Sequence, residues 1–423
     1  MNANTAKQFE RVGVRVPNIL LPRAGVDLHR WAVIACDQHT SEPDYWTRVE
    51  QIVDGHPSSL HLVYPEVYLG ESDSSRRIRA IHDTMQAYLD DAVLEDVGES
   101  MVLTRRSTPH VDDRRGLLLA LDLEQYDYTP GAQSLTRATE QTIVDRIPPR
   151  VRIREGAPVE LPHVMVLIDD PRDELFAGLL DRELERLYAT ELMLDGGQVS
   201  GYRVDGDALD HVSAVFTRLL ENSRAASPFL FAVGDGNHSL ATAKAVWEKT
   251  RAHVADDHPA RFALVEIVNL YDSGLRFEPI HRLVRCTNPI DWIAGLAQEL
   301  GAEFSRCSQH ELESARDDGA SVIGLVTESE TGCITLEGSR DLPVALVEEY
   351  INLQNDLDVD YIHGWETAIQ LGRESESVAI LLPDFDPGQL FPTVSQRGVL
   401  PRKAFSLGEA EEKRYYLEAR RIT

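Results

Sequence analysis

The sequence predicts an α+β fold, with mixed α/β elements built around a β-sheet. Three observations predict it. Short apolar runs of strand length recur at residues 31–36, 229–233 and 378–382. Between them lie stretches apolar at helical spacing, such as Ile78, Ile81, Met85 and Leu89. Strand-like and helix-like stretches alternate for most of the length, as α/β and α+β chains do. Finally, 423 residues, 43% of them hydrophobic, can bury a sizeable core and exceed one average domain.

In chain order, 31–36 (WAVIAC) reads as a strand and leads into a helix over 43–53, with Pro43 in its first turn. Residues 74–94 form a long amphipathic helix. Residues 101–104 and 117–123 read as paired strands. A charged helix is expected over 173–192, and a strand over 196–204 after a Gly-Gly turn. Leu209, Val212, Phe216, Leu219 and Leu220 mark a helix stripe. Residues 262–270 and 279–284 look extended, 323–326 and 333–336 form a hairpin, and 343–357 is an amphipathic helix. The tail GEAEEKRYYLEARR reads as a charged helix, or as an extension that docks on a partner. The main α/β region is placed at 1–285, with a sub-boundary near 155, and a C-terminal α/β region at 286–423.

Charge and cysteine content narrow the function. The net charge is −28, from 42 Lys+Arg against 70 Asp+Glu, so nucleic acid is not an expected partner. Four cysteines lack CxxC spacing and read as reduced thiols. No apolar run reaches signal-peptide or membrane-spanning length, which predicts a soluble cytoplasmic protein without membrane contact. A homo-oligomer is left open. The GxxxxGK[ST], GxGxxG, HExxH and GxSxG motifs are all missing.

The most informative stretch is PFLFAVGDGNHSLATAKAVWEK, residues 228–249. An apolar strand stops at Gly234-Asp235-Gly236-Asn237, and a helix follows from His238. Glycines allow a tight turn and close backbone approach, and a new helix offers unpaired N–H groups to a phosphate. Asp235, Gly236, Asn237, His238 and Ser239 are the candidate phosphate-binding residues, with Asp235 also a candidate metal ligand. The plainer alternative is that Asp235 or Asn237 merely caps the helix.

Further clusters accompany it. Asp37, His39 and Glu42 follow the 31–36 strand and could act as base or substrate anchor; Ser41 as a helix cap is the competing reading. Arg137, Arg146, Arg150, Arg152 and Arg154 form the one basic island of an acidic chain. Guanidinium groups there would bind phosphate or carboxylate, unless they form surface ion pairs. Glu140 shares the segment. His163 with Asp169 and Asp170 could hold a cation, or Asp170 could cap a helix. Glu278, His281 and Arg282 form a fourth cluster, and Tyr361 with His363 a fifth.

Several stretches together resemble a bacterial family catalogued as domain of unknown function 1015: WAVIACDQHTSEPDYW (31–46), YPEVYL (64–69), TRATEQTIVDRIPPR (136–150), LIDDP (167–171), FAVGDGNHSLATAK (231–244), EPIHR (278–282) and the segment 398–422. More distantly, the 235–239 turn is similar to the phosphate motif of the ParB/sulfiredoxin-like superfamily. That resemblance implies a mixed sheet with flanking helices and nucleotide phosphate at the turn. Asn237 and Ser239 stand where that motif has His and Arg, so another Arg, such as Arg137 or Arg150, would supply the charge.

The expected function is a nucleotide-dependent phosphotransferase or NTP hydrolase acting on a small polar metabolite, with an amino acid as one candidate. ATP, ADP or CTP would be the nucleotide, and Mg²⁺ would be held by Asp235. His238 would bind phosphate or neutralise developing charge, and Glu42, Asp37 or Glu140 would serve as base. His39, Glu140, His281, Arg282 and His363 would contact substrate. The alternatives are a non-catalytic sensor of a nucleotide or anionic metabolite, and a metal-assisted hydrolase using Asp235, His238, His39 and Asp169.

Overall fold

Unbroken apolar runs suit strands covered on both faces, and the longest of them lie in the middle of one mixed sheet. The computed structural model describes residues 1–70, 73–223, 228–317, 322–336, 342–354, 357–401 and 403–423. The chain divides into two units. The first is Met1–Leu275 with Phe391–Val399 and Gly408–Thr423; the second is Arg276–Leu390 with Leu400–Leu407.

The first unit is built on a ten-stranded sheet. Its strands are β1 (Val14–Arg15), β2 (Met101–Ser107), β3 (Arg114–Asp122), β4 (Tyr126–Asp127), β5 (Thr136–Ala138), β6 (Met165–Ile168), β7 (Arg186–Glu191), β8 (Gln198–Val204), β9 (Phe231–Asp235) and β10 (Phe262–Asn269). They run in the order β7-β8-β2-β3-β10-β6-β9-β5-β4, with β1 paired to β3. Every residue of β6 and β10 is buried. β9 is parallel to β5 and antiparallel to β6. The C-terminal ends of β5 and β9 therefore meet the start of β6 at one end of the sheet.

Around it lie α1 (Ala3–Arg11), α2 (Pro43–Val53), α3 (Ser74–Asp90), α4 (Ile147–Arg154), α5 (Glu174–Leu180), α6 (Gly206–Asn222) and α7 (Asn237–Thr250). The stripe of α6 packs as expected: Leu209, Val212 and Phe216 are buried in the core, with Leu219 and Leu220 against it. Ile147 and Val151 of α4 pack on Ala241 and Val246 of α7. Glu155, at the expected sub-boundary, is the C-cap of α4 within the first unit.

Three expectations are corrected in this unit. Residues 31–36 are not a strand: a helical turn ends at Trp31, and the buried segment after it makes one bridge, Ile34 to Tyr415. Its partner is the chain's own tail rather than the sheet. The helix expected over 173–192 stops at Leu180. Beyond it Tyr188 turns inward and β7 forms a ladder with β8, a pairing that local charge pattern does not reveal. The tail is neither a long helix nor free to dock on another molecule. Tyr415, Tyr416, Leu417 and Ala419 are buried in the core of the first unit, and Arg420–Arg421 pairs with Val159–Glu160.

Buried charge anchors that tail. Arg414 reaches Glu266 of β10 at 2.7 Å and Glu418 at 2.5 Å. Arg420 holds Glu160 at 2.6 Å. Burial alone would raise the Glu266 carboxyl, but Arg414 and Arg114, with the Thr104 hydroxyl, hold it below the ordinary range.

The second unit carries a six-stranded antiparallel sheet: β11 (His281–Arg285), β12 (Phe304–Arg306), β13 (Val322–Val326), β14 (Thr331–Thr335), β15 (Asp358–Ile362) and β16 (Ser377–Leu381), in the order β12-β14-β13-β16-β11-β15. The expected hairpin is β13–β14. Helices α8 (Pro289–Glu299), α9 (Gln309–Asp317), α10 (Pro343–Asn352) and α11 (Trp365–Gly372) accompany it. α10 ends before the expected 357, and positions 355–356 lie outside the described residues. No helix among the described residues is long and apolar enough to cross a membrane.

Removing one partner of a buried ion pair leaves an uncompensated charge. Arg414→Met should therefore cost about 3–5 kcal/mol in urea unfolding. A loss below about 1 kcal/mol would show that the tail is held by apolar packing instead.

Candidate functional site

The site is assembled where β9 ends and α7 begins. Gly236 has φ 77°, the left-handed region that glycine enters without steric cost. A Cβ on it would stand 3.0 Å from Val164 Cα. Gly236 is the N-cap of α7, and no side chain caps the helix. The capping alternative for Asp235 and Asn237 is therefore not what the fold uses. Ser239 and Leu240 donate to Gly236 O at 3.0 and 3.1 Å. The N–H groups of Asn237 and His238 have no partner among the described residues, and Asn237 Oδ1 is buried without one. This is an anion-ready helix start.

Asp235 turns back on the turn. Its Oδ1 accepts from Gly236 N–H at 2.8 Å, and its Oδ2 pairs with Lys413 Nζ at 3.1 Å. Burial would raise its carboxyl, but Lys413 and the Gly236 N–H, with His163 further off, hold it below the ordinary range. This donor set does not suit a Mg²⁺ ligand, because a divalent ion would have to displace the ammonium. Among the described residues no three His, Cys, Asp or Glu side chains group as a metal site.

His238 differs from expectation in its charge. Ile143 N–H donates to its Nε2 at 3.2 Å, so the ring proton resides on Nδ1. Burial, then Arg150 and Arg146, push its pKa down to about 4, against a weaker opposite pull from Asp37. At neutral pH the ring is neutral and offers an N–H donor, not a cation.

The Asp37 loop arrives through the tail. Ala35 N–H donates to Arg414 O at 2.7 Å and Tyr416 N–H to Val33 O at 2.9 Å, so Asp37 lies beside Tyr416. Asp37 Oδ1 accepts from Gln38 Nε2 at 3.1 Å, and its Oδ2 is 4.0 Å from His163 Nε2. Tyr416 hydroxyl is 2.7 Å from His163 Nδ1. Cys36 is partly buried, and desolvation holds its thiol far above the ordinary range, which makes it inert as a nucleophile.

The other expected residues fall in different places. His39 and Glu42 pair with each other at 3.0 Å, and the His39 ring stacks on Tyr45 at 3.7 Å. Glu140 is half-buried just past β5. Arg150 is near His238 but bound to Glu66. Arg137 does not reach the turn. It donates to Ser134 O at 2.9 Å and Pro228 O at 3.1 Å, at the opposite ends of β5 and β9, and lies over Phe229.

Asp169 follows β6, whose first residue, Met165, is the partner of Asp235. Four residues of strand put it roughly 13 Å away, where it accepts from Tyr271. With His39 also turned to Tyr45, the four ligands of a metal-assisted hydrolase do not converge. Asp170 caps α5 through Leu175 N–H at 2.9 Å.

His281, Arg282 and His363 belong to the second unit. Arg282 is fully buried against Glu348 at 2.8 Å. His281 Nδ1 accepts from Leu382 N–H at 3.1 Å. Burial, Arg282 and His363 lower its pKa to about 4. These contacts give His281 and Arg282 structural work, while His363 is exposed.

Sequence reasoning did not single out Lys413 or Tyr416 for the site, nor join His163 to Asp37; Arg146 is expected there as one member of the basic island. Arg146 is exposed and makes no ion pair among the described residues. Arg152 is likewise exposed without an ion pair among the described residues, and of the two it is Arg146 whose charge acts on His238.

Gly236→Ala should lose about 1–2 kcal/mol in urea unfolding through left-handed strain and the Val164 contact; an unchanged midpoint would show that the turn is free to relax. His238 stays neutral in the fold down to about pH 4, whereas an unfolded histidine takes a proton below about pH 6.5. The unfolded state thus binds more protons in that window, and stability should fall as pH drops from 6.5 towards 4. His238→Asn should flatten that slope, and an unaltered slope would place the shift elsewhere.

Three solved structures show low similarity. A conserved hypothetical protein from Pyrococcus furiosus has TM-score 0.36 and 10% identity, over 71% of this chain and 94% of that one. A free serine kinase in complex with AMP has TM-score 0.38 and 11% identity, over 75% and 95%. SbnI with a C-terminal truncation, from Staphylococcus aureus, has TM-score 0.37 and 11% identity, over 69% and 82%. These scores are too low to carry an argument. Among curated proteins none matches in sequence. The model of the family described as protein of unknown function (DUF1015) matches residues 20–360, and the chain belongs to that family.

Proposed function

We propose that the first unit binds the phosphates of a nucleotide, ATP, ADP or CTP, at the start of α7 and transfers a phosphoryl group to a small polar metabolite such as an amino acid. The observation that carries this is the pair of unpartnered N–H groups, Asn237 and His238, opened by a glycine that the Val164 contact keeps free of a side chain. Around it the neutral His238 Nδ1–H is a further donor, and Arg146 and Lys413 supply positive charge in an otherwise acidic protein. The likeness of residues 235–239 to the ParB/sulfiredoxin-like phosphate motif supports the same reading. Lys413 and Arg146 would stand in for the arginine that Ser239 replaces.

In the transfer, the acceptor's hydroxyl oxygen bonds to phosphorus while the phosphorus–oxygen bond to the nucleotide breaks. The electron pair leaves with the nucleotide, and the hydroxyl proton passes to Asp37. Asp37 fits this better than Glu42, which is exposed and paired with His39. The helix N–H groups and both cations offset the charge developing on the phosphoryl oxygens. No step runs through a protein-held metal.

A binding-only role is favoured by one observation. Lys413 and Arg150 already have carboxylate partners, Asp235 and Glu66, so a ligand would share them rather than capture free cations.

Thermal-shift measurements with ATP, ADP and CTP test the reading. At a hundredfold excess over Kd, the bound nucleotide should add about 2.7 kcal/mol of stability. His238→Ala or Lys413→Ala should remove most of that gain. No shift with any nucleotide contradicts the reading. A shift without product from pooled amino acids and sugars leaves the binding-only role.

A further inference from the structure

The phenol, imidazole and carboxylate beside β6 form a chain with a fixed direction. Tyr416 is 1% exposed. Its hydroxyl oxygen accepts from Cys36 N–H at 3.1 Å, and burial keeps the phenol protonated. Its own proton has two acceptors in reach, the Cys36 sulfur and His163 Nδ1 at 2.7 Å, and the imidazole nitrogen takes it, since a thiol sulfur accepts only weakly. An Nδ1 that accepts leaves the imidazole proton on Nε2, and that nitrogen lies 4.0 Å from Asp37 Oδ2. The Tyr416 ring also meets the imidazole edge to face, 5.7 Å between centroids, which restrains the ring plane. The Asp37 side chain keeps 26% of its surface exposed against 12% for His163, so the carboxylate stays open to an incoming hydroxyl.

We propose that His163, fixed as the Nε2–H tautomer by Tyr416, is the positioning residue for Asp37 in phosphoryl transfer. The proposal rests on the phosphotransferase reading above. His163 orients the Asp37 carboxylate while that carboxylate takes the acceptor's proton; the imidazole neither gains nor loses one. The 4.0 Å separation shortens to a hydrogen bond once substrate closes the site, as catalytic hydrogen bonds commonly do. Groups that orient metal-ligating side chains from behind are typically worth about 10- to 100-fold when removed, and an effect of that order is expected for a carboxylate base oriented in the same way.

The test uses the full chain with ATP and whichever acceptor gives product. His163→Leu should lower kcat by about 10- to 100-fold and leave KM for ATP unchanged. His163→Gln, whose amide N–H can point at Asp37, should recover most of kcat. In wild type, ¹⁵N NMR of the His163 ring should show a protonated Nε2 and a bare Nδ1, and Tyr416→Phe should mix the tautomers. Wild-type kcat in His163→Leu, a loss that His163→Gln does not recover, or a protonated Nδ1 in wild type overturns the assignment while leaving the function intact. A wild-type chain that neither binds nor turns over nucleotide overturns the reading of function, and this role with it.

Discussion

Everything at the candidate site depends on one buried ionic cluster, Arg414 between Glu266 and Glu418. Glu266 lies on β10 in the middle of the sheet, and Arg414 sits in the tail. Together with Arg420 on Glu160, that pair draws a strongly polar C-terminal segment into an apolar interior. Gly116 makes room for it, since a Cβ there would fall on the Glu266 carboxylate and the Thr104 hydroxyl. Buried ion pairs seldom add net stability over an apolar core. This one fixes position: it sets the register in which residues 414–416 pair with 33–35, and so places Lys413, Tyr416 and Asp37 together.

The sheet supplies the rest of the geometry. β5 and β9 run parallel and β6 runs against them, so two strand ends and one strand start share an edge. Asp235, Thr139 and His163 reach the same end without any loop having to travel. Thr139 ties the arrangement by donating to Val233 O at 2.6 Å. Electrostatics then divide the labour. Lys413 keeps Asp235 ionised, while Arg146 and Arg150 help keep His238 neutral.

Much of this was legible in the sequence where the signal was local. The β9–α7 turn was visible because Gly236 and a crowd of polar residues interrupt an apolar run. The pairing of β2 with β3 and the stripe of α6 follow directly from side-chain period. What escaped was whatever depended on long-range partners. Residues 31–36 looked like a strand because Trp31–Ile34 are fully buried, but a tail nearly four hundred residues away covers them. Arg137 and Arg146 are nine residues apart in one basic island, and only the strand direction shows that Arg137 points to the far end. The tail's charges read as a solvated surface because nothing local reveals Glu266 and Glu160 as their partners.

The free N–H groups of Asn237 and His238 are proposed to receive phosphate. Amide NMR during titration with ATP tests this most directly. The two amide signals should move together, farther than those of neighbouring α7 residues, and should do so much less in Lys413→Ala. If nucleotide binds while both amides stay in place, the phosphate lies elsewhere and the account of the site is wrong.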